Sequence, residues 1–384
     1  IYTRITNPTT AVAEDRIASL EGGVAALLFA SGQAAETAAI QTITQAGGHV
    51  VASPRLYGGT ETLLRHTLPK YGITTTFVDD PDDPLAWERA IQPNTRVFYA
   101  ESISNPLNDV LDIPAIARVA HENQIPLVVD NTVASPYLIR PIELGADVVV
   151  ESATKYLGGH GTSIAGVLVD GGNFDWRAQR DSEDLYPSFT QPDPAYHGAV
   201  YADLGAPALA LKARVTLLRD TGAAASPFNA WTLTQGLETL SLRVERHNAN
   251  AQVVAEWLES RSDVAKVNYA GLESSKWHGI QKEISPKGAG AIVTFDLALP
   301  DGLDAEQTKQ KAWAFIDALK LHSCLVNIGD VRSLVCHPAS TTHSQLSEDA
   351  LSAVGVSTAT IRLSVGIEDV NDILADLELG FATL

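Results

Sequence analysis

A lysine and an aspartate raise the first chemical question. Lys155 stands in "ADVVVESATKYLGGHG", residues 146–161, where three valines followed by Glu, Ser, Ala and Thr read as a buried parallel strand running out into a polar loop. An ammonium at such a strand end must pair with an anion or lose its proton, and a lysine made neutral by its surroundings is a nucleophile that forms Schiff bases. Alone, the residue reads more readily as a surface lysine in a turn. Asp130 closes "IPLVVD", the preceding strand, so the two can meet in one cleft, although a carboxylate there can also cap the next helix. Together they match what pyridoxal phosphate requires, an amine for its aldehyde and an acid for its ring nitrogen.

Such a cofactor needs further contacts. "FASGQAAETAAIQ" sets Ser31, Gly32 and Gln33 at a turn opening a helix, where free N–H groups and the positive end of the helix dipole attract a phosphate. The same letters describe an ordinary helix cap. Ser152 and Thr154 place hydroxyls beside the lysine, and Tyr57 in "SPRLYGGT" lies at another strand end, where its face can stack on a flat ring or merely pack.

These residues need a scaffold of strands that end together. Residues 20–170 alternate helical and strand-like segments: "GGHVVASPRLYGG", "GITTTFVDD", "TRVFYAES", "IPLVVDNTV", "ADVVVESATK" and "AGVLVDGG" read as strands. "DIPAIARVAHENQ" reads as a helix opened by Asp112 with Pro114 just inside. The expected architecture is α/β, a mostly parallel doubly wound sheet with its ligand site at the carboxyl ends of the strands, where Lys155, Asp130 and Asn105 all fall. Residues 172–207, rich in Pro, Gly and aromatics, read as a long ordered excursion covering a site or an interface. Residues 226–260 read as one long amphipathic helical stretch, after which the pattern turns α+β. The expected domains are 1–230, holding the cofactor, and 231–384, smaller.

Composition narrows the partners. The chain has 384 residues, 45% hydrophobic, enough for a large core. With 27 Lys and Arg against 46 Asp and Glu, the net charge of −19 argues against nucleic-acid and anionic-membrane partners. No apolar run approaches the roughly 18 residues of a membrane span, so a soluble, cytoplasmic protein is expected. Cys324 and Cys336 form no CxxC or metal-ligand spacing and are expected to be free buried thiols, with no metal site. "GGHG" has no GxGxxG or Walker spacing after a strand, which disfavours nucleotide binding. The chain begins at Ile1 and contains no methionine, so a preceding segment is expected.

From residue 1 to the end the sequence resembles the Cys/Met-metabolism pyridoxal-phosphate enzymes. The likeness is carried, in order, by "YTRITNPTT", "ASGQAAE", "SPRLYGGT", "ESISNP", "VVDNT", "SATKYLGGHG", "SLVCHPASTTH" and "IRLSVGIED". "DGGNFDW", "PDPAYHG" and "NIGDVRSLVCHPASTTHSQL" resemble the O-acetylhomoserine sulfhydrylase branch. The resemblance implies the aspartate-aminotransferase-like fold (fold type I), and a homotetramer built from dimers that share active sites. It implies that Lys155 holds pyridoxal 5'-phosphate, Asp130 meets its ring nitrogen and Tyr57 its face. Gly32, Gln33, Ser152 and Thr154 would bind the phosphate, with Tyr2 and Arg4 reaching the phosphate of a neighbouring subunit. Arg362 would clamp the substrate α-carboxylate, assisted by Asn105 and Ser333. Members also carry an N-terminal arm before the motif that "YTR" opens.

The implied activity is a γ-replacement in methionine biosynthesis, O-acetyl-L-homoserine plus sulfide giving L-homocysteine plus acetate. Cystathionine γ-synthase or cystathionine lyase activity is the alternative within the family. A silent relative acting as a scaffold is the alternative outside catalysis. The sequence leaves acetyl against succinyl ester, and sulfide against a larger thiol, open.

Overall fold

The continuous Val, Ile and Leu runs become strands because a strand covered on both faces has no polar side to show. The computed structural model describes residues 1–300, 302–344, 347, 351 and 354–384. Gln345 and Leu346, which close the last motif of the sulfhydrylase-like set, lie outside the described residues. The chain divides into two units, one of residues 1–102 and 111–238, the other of 103–110 and 239–384.

The first unit is built on seven strands: β1 (Ala25–Phe29), β2 (His49–Ala52), β3 (Thr74–Phe77), β4 (Thr95–Glu101), β5 (Leu127–Asp130), β6 (Val148–Glu151) and β7 (Gly166–Asp170). Their order is β1-β7-β6-β5-β4-β2-β3. β2 to β6 run parallel, while β7 is antiparallel to both β6 and β1. A parallel return needs a helical crossover of about a dozen residues or more. Between β6 and β7 the chain instead forms the turn that carries Lys155, and the strand reverses. Val128, Val148 and Leu168 are fully buried, and cutting such a leucine to alanine costs about 2–5 kcal/mol.

Helices α1 (Pro8–Glu21), α2 (Gly32–Ile43), α3 (Gly58–Thr62), α4 (Pro84–Arg89) and α5 (Ile113–Glu122) belong to this unit. The start expected at Asp112 is present: its side chain accepts from Ala115 N, with Pro114 in the first turn. The excursion after β7 contains the hairpin β8 (Gln179–Arg180) and β9 (Glu183–Asp184). Its aromatics fix it from inside, with Trp176 stacked on Phe189 at 4.1 Å and edge-on to Tyr186 at 5.4 Å.

The helical stretch expected over 226–260 is two helices, Pro227–Glu238 and Leu240–Glu259, interrupted at Thr239 (φ −113°, ψ 10°). The first lies in the first unit and the second in the other. The second unit has the sheet order β10-β11-β14-β13-β12, from β10 (Val264–Asn268), β11 (Ile292–Leu297), β12 (Ser323–Cys324), β13 (Leu334–Cys336) and β14 (Thr360–Ser364). Phe295, Phe315 and Phe381 pack edge to face or tilted within it. The loop 103–110 is anchored there by Asn108, which donates to Ala289 O (2.9 Å) and accepts from Ala270 N (2.7 Å). Both cysteines are free, and Cys336 is buried as expected. Cys324 is exposed, contrary to expectation, because it sits on the edge strand β12.

Candidate active site

The carboxyl ends of β5 and β6 are adjacent, with Asp130 opposite Val150 in register. From β6 the chain enters a tight turn in which Lys155 N donates to Ser152 O (3.1 Å) and Gly159 N to Lys155 O (2.7 Å). A Cβ on Gly236 would lie 2.5 Å from Gly158 O and 2.6 Å from Leu157 O, so only glycine lets the helix Pro227–Glu238 back this turn. Thr132 ties the two strand ends together, its N–H donating to Asp130 Oδ1 and its Oγ1 accepting from Ser152 N, both at 2.8 Å.

The helix α2 opens against this turn. Ser31 caps it by accepting from Ala34 N at 3.1 Å. The N–H groups of Gly32 and Gln33, in the first turn, have no carbonyl four residues back to meet. A Cβ on Gly32 would lie 2.8 Å from Ser152 Cβ, so the glycine brings those N–H groups up to Ser152, whose hydroxyl makes no bond among the described residues. Thr154 behaves differently. Its hydroxyl donates to Ala165 O and accepts from Ala165 N, both at 3.1 Å, which turns it toward β7. Tyr57, half exposed, stands at the start of α3 with its backbone N–H held by the Glu101 carboxylate.

Anions crowd this edge. Asp130 is reachable from solvent but mostly walled by protein, and the loss of water pushes its pKa up to about 6 against the opposing pull of Thr132. No basic side chain pairs with it among the described residues. Behind it, Asn131 donates to Glu21 Oε1 (2.8 Å) and accepts from Ser102 Oγ (2.8 Å). Glu21 and Glu151 are both buried, each with a carboxyl oxygen that has no hydrogen-bond partner; burial pushes Glu21 up to about 7 and Glu151 well above the carboxylate range. On α2, Glu36 is pushed up to about 8, by burial first and then by Asp130. Sequence reasoning missed Glu21, Glu36, Thr60, Tyr99, Asn131 and Glu151. The one available signal was a glutamate on the alanine-lined face of "GQAAETAAI".

In the second unit the sign is reversed. Arg362, in the middle of β14 and only 2% exposed, donates from Nη1 to Asn105 Oδ1 (3.2 Å) and from Nη2 to the carbonyls of Val326 and Asn327 (3.1 Å each). Its Nε has no partner, and no carboxylate pairs with it among the described residues. Ser333 is not brought to the guanidinium by its side chain. Its N–H and hydroxyl both donate to Glu368 (2.7 and 2.9 Å), and Oγ accepts from Gly366 N. Tyr2 and Arg4 stay together, with the Arg4 guanidinium 5.2 Å over the Tyr2 ring and donating to Arg219 O.

The residues present in the first unit fit pyridoxal phosphate. A buried acid without a cation suits a protonated ring nitrogen, and helix N–H groups beside an unbonded serine hydroxyl suit a phosphate. Residues 1–382 match the family described as "Cys/Met metabolism PLP-dependent enzyme". The O-acetyl-L-homoserine sulfhydrylase of Corynebacterium glutamicum is 57% identical over all of this chain and 86% of its own length; that of Leptospira meyeri is 50% identical over 98% and 85%. Among solved structures, a Campylobacter jejuni protein described as an O-acetylhomoserine (thiol)-lyase carries N'-pyridoxyl-lysine-5'-monophosphate. It superposes with a TM-score of 0.93 at 39% identity, over 100% of this chain and 88% of that one. A cystathionine gamma-lyase of Lactobacillus plantarum gives 0.83 at 34%, with the same coverage. The fold is that of these enzymes, and the chain belongs to the pyridoxal-phosphate-dependent enzymes of Cys/Met metabolism.

Proposed function

We propose that this protein catalyses γ-replacement on O-acetyl-L-homoserine, exchanging acetate for sulfide to give L-homocysteine, as a step of amino-acid biosynthesis. The observation that carries the reading is the full-length match at 57% identity to an O-acetyl-L-homoserine sulfhydrylase. The buried Arg362, whose Nε has no partner and which no carboxylate pairs among the described residues, supports an amino-acid substrate held by its carboxylate.

When bound, pyridoxal phosphate supplies an electron sink for charge developing at the substrate Cα. Lys155 Nζ would anchor it and, once released, would take the proton from the substrate Cα, pass that proton on, and only then, neutral again, act as base at Cβ. Asp130 holds the proton on the ring nitrogen. The N–H groups of Gly32 and Gln33 and the Ser152 hydroxyl hold the phosphate; Thr154 joins them only if its pair with Ala165 opens. Tyr57 covers the ring face. Arg362, steadied by Asn105, would hold the substrate α-carboxylate, and the role of Ser333 is to hold the surrounding chain through Glu368. The Cγ–O bond breaks with its electron pair going to acetate, and a Cγ–S bond forms from sulfide, with no net oxidation.

The proposed assembly is a cytoplasmic homotetramer of dimers in which Tyr2 and Arg4 serve the phosphate of a neighbour. Product analysis of the holoenzyme tests the reaction. O-acetyl-L-homoserine with sulfide is expected to give homocysteine and acetate in equal amounts. Cleavage of cystathionine with no turnover of the ester would replace the γ-replacement reading by a lyase.

A further inference from the structure

We propose that Glu36 is a proton-bearing positioning residue of the cofactor site, holding α2 to α3 as a neutral acid and loosening the cofactor when it ionises. The side chain is 2% exposed. Its Oε2 accepts two hydroxyl bonds, from Thr60 Oγ1 on α3 at 2.8 Å and from Tyr99 OH on β4 at 2.9 Å. Its Oε1 has no partner, which makes it the place for a proton. Thr60 Oγ1 in turn accepts from Gln33 Nε2 at 3.5 Å, so the carboxyl reaches the phosphate-facing end of α2 through one hydroxyl. The same bond holds α3, whose first residue comes directly after Tyr57.

Burial and the facing carboxyl of Asp130 disfavour a second anion at Glu36. Asp130 on β5 raises its pKa, and the donors Thr60, Tyr99 and Gln33 pull it down by less than burial and Asp130 push it up. Tyr99 is itself pushed far above its ordinary value, by burial first and then by Glu36, Asp130 and Glu101. No basic side chain pairs with the Glu36 carboxyl among the described residues. As an acid, Glu36 leaves Asp130 as the one anion facing the ring nitrogen. As a carboxylate, it adds a charge four residues along α2 from Gly32, and repels a bound phosphate. The folded-state pKa is raised, so the acid form is complete at low pH and is lost as pH rises through about 8.

This rests on the assignment of Asp130 and Gln33 to the cofactor. The test is equilibrium binding of pyridoxal phosphate to the apoprotein, followed by absorbance from pH 6.5 to 9.5, for wild type, Glu36→Gln and Tyr99→Phe. Glutamine keeps an acceptor but cannot ionise. The wild-type affinity, divided by that of Glu36→Gln, is expected to fall at least about tenfold across the range, up to about tenfold per pH unit once Glu36 is charged. Tyr99→Phe removes a donor to the carboxylate and is expected to move the fall to higher pH, which decides the matter if the glutamine variant does not fold. Profiles that stay parallel within about twofold, or no movement in Tyr99→Phe, overturn the role of Glu36. No saturable binding to wild type at any pH would instead sink the cofactor assignment beneath it.

Discussion

The two units are electrostatically incomplete in opposite senses. At the strand ends of the first unit, Asp130, Glu36, Glu21 and Glu151 gather with no basic partner on Asp130 among the described residues, and burial raises all four. In the second unit one buried guanidinium meets only amide and peptide oxygens. Elsewhere some buried charges meet an opposite one: His322 Nδ1 meets Asp376 at 2.7 Å, and Arg214 meets Glu14 at 2.7 Å, whereas Lys212 donates only to Thr42 O and the Ser188 hydroxyl among the described residues. Removing a charge from water costs several kcal/mol unless a partner compensates it. An uncompensated buried acid at the carboxyl ends of parallel strands, where ligands sit, and a buried guanidinium with an unbonded nitrogen are therefore places suited to a ligand. The first unit calls for a cation beside an anion-binding helix end, the second for a carboxylate.

The comparison can be broken first at the lysine. Lys155→Ala is expected to lower turnover at least about 10³-fold, since no other amine stands at a strand end of the sheet. Activity within tenfold of wild type would remove the first unit from the chemistry. Asp130→Asn is expected to fold and retain cofactor while losing about 10²-fold or more in kcat; near-normal turnover would show the acid to be structural. In the second unit, Arg362→Lys keeps the charge and loses the fork. A fall in kcat/KM of at least about tenfold is expected, roughly 1.4 kcal/mol, and an unchanged value would leave the unbonded guanidinium nitrogen without a role.

Arg4 sharpens the contrast differently, because its partners in the chain are Tyr2 and Arg219 O. Arg4→Ala is expected to weaken cofactor retention by several-fold, as charge-assisted phosphate bonds are strong. Mixed with Lys155→Ala subunits, it should recover part of the activity. No recovery despite subunit exchange would contradict a shared site. The smallest effect concerns Glu21. Its folded pKa is raised to about 7, so its stabilisation is complete below the ordinary carboxylate range and lost as pH rises toward 8. Urea unfolding of the apoprotein should show wild type losing about 1–3 kcal/mol relative to Glu21→Gln between pH 5 and pH 8. A constant difference would mean that Glu21 is ionised throughout.

The parallel strands were legible because runs such as "LVVD" and "VVVE" have no polar face. β1, "AALLF", has no β-branched residue and reads equally as helix, so it was not legible. Lys155 and Asp130 could be picked out because strand ends are where ligands sit. Arg362 could be placed only by resemblance, since nothing local distinguishes "TIRLS" from a strand with a surface arginine. Hydroxyl directions were beyond reach: Thr154 toward Ala165 and Ser333 toward Glu368 are set by contacts eleven and thirty-five residues away. Glu36 was hidden for a similar reason, its partners Thr60 and Tyr99 lying on two other elements.

The attachment point of the cofactor is the most direct measurement. Holoenzyme is reduced with borohydride, digested and mapped by mass spectrometry. A pyridoxyl-phosphate adduct on the peptide containing Lys155, and absent from Asp130→Asn only in proportion to any cofactor lost, is the expected result. An adduct confined to another lysine, or none from protein that turns over O-acetyl-L-homoserine, would contradict the assignment of the first unit's unpaired acids to this cofactor.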